Sequence, residues 1–96
     1  MAKGYWVVSV DVSDPEGYKL YIAENAKAFR KYGARFLTRG GKAEVFEGKA
    51  RSRIVVLEFK DYATALACYR SPEYAKALAL RKDKAVADLV VIEGYD

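Results

Sequence analysis

Histidine is missing from this 96-residue chain. Without it, neither a Ser-His-Asp nor a Cys-His nucleophile can be assembled within the chain. The commonest transition-metal ligand is lost with it. The single cysteine, Cys68, does not make up the deficit, so no metal site is expected. One cysteine also excludes an intrachain disulfide, which fits a reducing, cytoplasmic setting. No apolar run approaches the roughly 20 residues of a membrane-spanning helix. Met1-Ala2-Lys3-Gly4 leads straight into a strand pattern rather than a secretory leader. There is no P-loop, no dinucleotide glycine pattern and no C-x-x-C pair. Arg53-Ile54-Val55-Val56-Leu57-Glu58-Phe59 lacks the glycine and spaced aromatics of an RNA-recognition strand. Nucleic acid, membrane and bound cofactor are therefore not expected partners.

What remains for acid–base or binding chemistry is carboxylates, basic side chains and eight tyrosines. The length fits one domain, residues 1–96. A hydrophobic share of 52% is enough for a packed core, although chains this small often gain stability by associating. The net charge of +4 is unevenly spread: between Lys27 and Arg53 nine basic residues face only Glu44 and Glu47. Such a stretch forms either a solvated basic surface or a region that attracts a small anion or an acidic partner.

Periodicity sets the order of elements. Residues Gly4 to Val12 alternate as a strand, with Trp6, Val8, Val10 and Val12 on one face and Tyr5, Val7, Ser9 and Asp11 on the other. Ser13-Asp14-Pro15-Glu16 is a helix start, with a cap, an early proline and an acid at the positive end of the dipole. The helix runs to about Tyr32 along the stripe Tyr18, Tyr21, Ile22, Asn25, Ala26, Phe29 and Tyr32, and Gly33 stops it. Asn25 is the polar member of an otherwise apolar stripe.

Ala34 to Arg39 reads as a second strand that runs into Gly40-Gly41. Regular alternation puts Arg35 and Arg39 on one face. Against a hydrophobic sheet an arginine needs an anion, whether a protein carboxylate or a ligand. Lys42 to Glu47 continues extended, and Gly48 with Lys49-Ala50-Arg51-Ser52 forms a hairpin turn into a third strand, Arg53 to Lys60. There Val55, Leu57 and Phe59 share one face, and Glu58 interrupts the other. Asp61 caps a short helix, Tyr62 to Tyr69. Ser71-Pro72 starts another, whose inner side carries Tyr74, Ala75, Leu78 and Arg81. The last strand spans Asp88 to Glu93.

The resulting order, βαββαβ, is that of an α+β ferredoxin-like sandwich. Strands apolar on both faces need cover on both sides. The helices supply one cover. A second copy of the chain is the simplest other one, which predicts a two-fold homodimer closed through the sheet face.

Four segments carry a resemblance over nearly the whole chain: Gly4-Tyr5-Trp6, Tyr32-Gly33-Ala34-Arg35-Phe36-Leu37-Thr38-Arg39-Gly40-Gly41, Tyr69-Arg70-Ser71-Pro72-Glu73-Tyr74 and Val91-Ile92-Glu93-Gly94-Tyr95. In their order they resemble the domain of unknown function 1330 family, within the dimeric α+β barrel superfamily. Ala34 departs from a second glycine usual after Gly33 in that family. The resemblance implies a homodimer and, through a superfamily that includes cofactor-free oxygenases and isomerases, a small aromatic or anionic ligand.

Two groups are the candidate site residues. In the first, Arg39 would bind a carboxylate or enolate oxygen, Asn25 would donate to an oxyanion, and Glu58 would act as base or orient Arg39. The alternative is a structural module in which Arg39 and Glu58 satisfy each other. In the second, the helix start at Ser71 would hold an anion between Tyr69 and Tyr74, unless Ser71 is only a cap. Trp6 and the tyrosines are expected in the core or dimer seam. Cys68 is expected to be a small buried hydrophobe.

Overall fold

A computed structural model describes residues 2–96. The elements are β1 (Gly4–Val12), α1 (Pro15–Tyr32), β2 (Arg35–Arg39), β3 (Arg53–Phe59), α2 (Tyr62–Tyr69), α3 (Pro72–Arg81) and β4 (Ala85–Glu93). The four strands form one antiparallel sheet in the order β2-β3-β1-β4, covered on one face by the helices. This is the predicted ferredoxin-like α+β arrangement, with its second helix divided into α2 and α3.

Local chemistry explains the boundaries. Asp14 caps α1 by accepting a hydrogen bond from the Gly17 N–H at 3.1 Å. The helix ends at Gly33, whose φ of 68° is a left-handed value that costs glycine nothing. Asp61 caps α2 through the Thr64 N–H. Ser71 caps α3 by accepting from the Tyr74 N–H, while its hydroxyl donates to the Cys68 carbonyl.

The core lies between helices and sheet. Trp6 is its centre: its Nε1 donates to the Ala65 carbonyl at 2.9 Å, and its ring meets Phe29 and Tyr74 edge-on at 5.3 and 4.9 Å. Such geometry adds to the area these rings bury. From α1, Tyr18, Tyr21, Asn25, Ala28 and Phe29 are buried. Ala28 therefore takes the fully inward place expected of Ala26. On α3 the same correction applies, with Ala77 buried and Ala75 exposed.

The sheet departs from the sequence reading in three places. β4 begins at Ala85 rather than Asp88, because Ala85, Val86 and Ala87 pair with Val12, Asp11 and Val10. Lys42 to Glu47 has no strand partner and belongs to a long connection between β2 and β3. Most consequential, β2 is bulged. Arg35 pairs with Glu58 and Phe36 with Leu57, but Thr38 pairs with Val56 and Arg39 with Val55, leaving Leu37 as the extra residue. The Thr38 hydroxyl fills the gap in the ladder, accepting from Val56 N and donating to Ile54 O. A bulge inverts the alternation beyond it. Arg35 consequently lies on the open face with Glu58, and Arg39 on the helix-covered face with Val55.

The open face is apolar along its middle: Val7, Val90 and Ile92 are 41, 55 and 50% exposed. Its other end is strapped by the β2–β3 connection. The Arg51 N–H donates to the Ser9 hydroxyl, and the Arg51 guanidinium bonds Asp88 and Asp11.

Candidate functional site

A void opens between α1 and the covered face of the sheet. Its walls are apolar and mostly aromatic: Trp6, Val8, Ile22, Phe29, Phe36, Val55 and Leu57. Its polar members are Tyr18, Tyr21, Asn25, Arg39 and Arg53. Its enclosed volume is only about 30 Å³. That is room for roughly two waters. A six-membered ring enters only if a side chain at the mouth swings aside. Arg39, exposed and stacked 4.3 Å from the centre of the Phe36 ring, is placed to do so.

Asn25 reaches this void because it stands on the inner stripe of α1, one turn after Tyr21 and one before Phe29; it is 6% exposed. Arg39 reaches it because the Leu37 bulge turns it inward. Arg53 reaches it because it shares a face with Val55, Leu57 and Phe59. The Nε of Arg53 is buried without a hydrogen-bond partner.

The structure brings together two of the three residues in the first candidate group, Asn25 and Arg39. Glu58 lies on the opposite face, where it meets Lys3 at 3.3 Å. The alternative, an Arg39–Glu58 pair, is thus not formed: the bulge gives Arg35, not Arg39, the place across from Glu58. The other group stands apart from the void. Ser71 is buried as a cap, the Tyr74 hydroxyl bonds that of Tyr21 at 2.7 Å, and the Tyr69 ring packs on Trp6.

Sequence reasoning placed Arg53 at the start of the third strand but counted it only with the basic stretch and did not single it out. Alternation two residues back from Val55 puts it on the covered face, which was the available signal.

The electrostatics are one-sided. No lining residue is a carboxylate, lysine or cysteine. Burial raises the Tyr18 phenol pKa above its ordinary value, and neighbouring Tyr21 adds to this, against the opposing pull of Arg53 and Arg81. It therefore stays protonated at neutral pH. The Cys68 thiol, away from the void, is pushed up to about 12, chiefly by burial. The void can donate hydrogen bonds and hold negative charge, but it offers no group suited to remove a proton at neutral pH. Among the described residues no cluster of three or more acidic, cysteine or histidine side chains could hold a metal ion, and no helix is long and apolar enough to cross a membrane.

The arrangement is a ferredoxin-like α+β domain with a cavity under its first helix. Residues 3–95 match the domain of unknown function DUF1330, and the chain belongs to that family. A comparison with curated proteins finds no match. Among solved structures, a protein of unknown function from Rhodopseudomonas palustris is similar at 16% identity and a TM-score of 0.77, over 99% of this chain and 84% of that one. SnoaB, a cofactor-independent oxygenase from Streptomyces nogalater, is similar at 10% identity and a TM-score of 0.64, over 100% and 96%. A dimeric ferredoxin-like protein of unknown function from Thermobifida fusca is similar at 16% identity and a TM-score of 0.60, over 96% and 89%. At these identities the likeness is one of fold.

Proposed function

We propose that this protein is a homodimer that binds a small anionic or aromatic molecule in the cavity between α1 and the sheet, using Asn25 and Arg39. The observation that carries the reading is the mismatch inside the cavity: buried Asn25 and two arginines line an aromatic void that contains no carboxylate. Arginine does not shed its charge, so an anion or water must meet it. Concave, largely apolar sites with a few convergent polar groups are the usual form of small-molecule sites.

Catalysis at the same place would take a restricted form. An oxygenase or isomerase reaction would fall to a substrate whose own enolate or phenolate the arginines and Asn25 stabilise. The relative from Streptomyces nogalater makes a cofactor-free oxygenase the natural form of that second reading. The cysteine content favours work in the reducing cytoplasm.

The homodimer rests on the open sheet face. Its exposed Val7, Val90 and Ile92 form an apolar strip of a kind that marks association surfaces. Dimeric relatives of the same fold support it. Sedimentation should give a dimer for the natural chain and monomers for Val90→Lys. A monomeric natural chain would reject the dimer.

The ligand reading is tested by a ligand-observed NMR screen of small aromatic acids against the natural chain and Arg39→Ala. Binding that Arg39→Ala weakens while the fold persists supports it. Binding unchanged in Arg39→Ala would remove the site from the account.

A further inference from the structure

Resting on that cavity reading, we propose that Arg53, seated across Gly40, anchors the ligand, and that the ligand is a planar monocarboxylate on a single ring. Arg53 opens β3 opposite Val10 and so points its side chain to the covered face. Its Nε is out of contact with solvent and has no protein partner. A hydrogen bond to a charged group is stronger than one between neutral groups, and a buried donor left unpaired is destabilising. A carboxylate at this point satisfies the Nε and an adjacent guanidinium nitrogen together, which a planar fork does best.

Gly40 makes the seat. It ends the bulged β2, donates its N–H to the Ile54 carbonyl at 2.9 Å and has φ of 74°. A Cβ built there would stand 2.5 Å from Arg53 Nη1, 3.0 Å from its Cζ and 3.1 Å from its Cγ. A Cβ there would push the guanidinium end of Arg53 out of its seat. The first glycine of the Gly-Gly break therefore has two reasons to be glycine: its backbone angle and the arginine lying over it. Arg39 approaches the same end from the neighbouring strand, stacked on Phe36 at the mouth.

Size and shape select the rest of the ligand. With Arg39 swung from the mouth, a single flat ring is the most the void under α1 can take, and its mostly aromatic walls favour an aromatic one.

The test is NMR titration of the ¹⁵N-labelled protein with benzoate, its neutral isostere benzamide, and inorganic phosphate, read at the Trp6 indole N–H. Benzoate should give saturable shifts, and benzamide should bind about ten-fold or more weakly. Arg53→Gln and Arg53→Lys should each weaken benzoate by about ten-fold or more, because neither retains the fork. Gly40→Ala should do the same by displacing Arg53. A circular-dichroism melt checks that each variant folds, and Arg53→Lys keeps the charge should the glutamine variant unfold. Undiminished benzoate binding in Arg53→Lys would overturn the inference while leaving the cavity a binding site. Benzamide or phosphate binding as well as benzoate would overturn the ligand class alone. Trp6 shifts with none of the three would overturn both the inference and the cavity reading.

Discussion

Arg35 and Arg39 stand four residues apart on one strand and face opposite sides of the sheet. Arg35 is across from Glu58 on the open face, and Arg39 is across from Val55 on the face the helices cover. A single extra residue, Leu37, separates the two outcomes. Through it, one of two similar arginines enters an aromatic cavity while the other lies on the open face of the sheet.

The register gives Glu58 a modest role. Its contact is Lys3, whose side chain is 54% exposed and keeps the pair open to solvent, although the Glu58 side chain itself is only 16% exposed. Exposed pairs contribute about 0–1 kcal/mol, against about 3–5 kcal/mol for breaking a buried one. Glu58→Gln should therefore change the unfolding free energy in urea by about 1 kcal/mol or less. A loss near 3 kcal/mol would mean that Glu58 holds a buried partner.

Ser71 is a cap in a buried place, accepting from Tyr74 N at 3.1 Å and donating to Cys68 O at 2.7 Å. Ser71→Ala removes both bonds. The expected cost is about 1–2 kcal/mol, or roughly 4–15 °C in Tm for a domain of this size. Calorimetry decides this, and an unchanged Tm would show that α3 does not depend on its cap.

Cys68 is fully buried, and burial pushes its thiol up to about 12. The thiolate is the reactive form, so a disulfide reagent such as Ellman's should label the native protein only at the rate of opening. Labelling should become immediate in denaturant. Fast labelling of the folded chain at neutral pH would contradict the packing around α2.

Acid should destabilise the protein through three carboxylates. The Ser52 backbone N–H bonded to Asp11, the Thr64 groups bonded to Asp61 and the Lys31 ammonium beside Glu73 each hold a carboxyl below its ordinary value. A carboxyl depressed in the folded state adds stability that is complete above its unfolded value and is lost as pH falls through its folded value. For Asp11 that loss starts near the ordinary 3.8 and continues below it. Denaturant melts from pH 6 to 2 should show this fall, and Asp11→Asn should flatten it. A pH-independent midpoint would refute the assignment.

Much of the fold is legible in the sequence because caps and periodicity agree. Asp14, Asp61 and Ser71 mark three helix starts, and the alternation about Trp6 and Leu57 marks the two central strands. Asn25 stands out because a 3.6-residue period carries an amide into an apolar stripe. The start of β4 is harder to see because Ala85 and Ala87 are too small for a strong alternating signal. Lys42 to Glu47 has an extended pattern but no strand to pair with. The site was only half legible, because a bulge depends on pairing with β3 and leaves no local mark. With Leu37 counted as a regular strand residue, Arg39 joins Arg35 and Glu58, and Arg53 passes for one more residue of a solvated basic stretch.

A crystal structure of the protein grown with benzoate tests the central claim most directly. The account predicts a ring in the void under α1, against the Phe29 and Phe36 walls, with its carboxylate on Arg53 Nε, and Arg39 drawn over the mouth. A closed cavity without the ring, with Arg53 Nε bonded to a carboxylate of the protein itself, would contradict it.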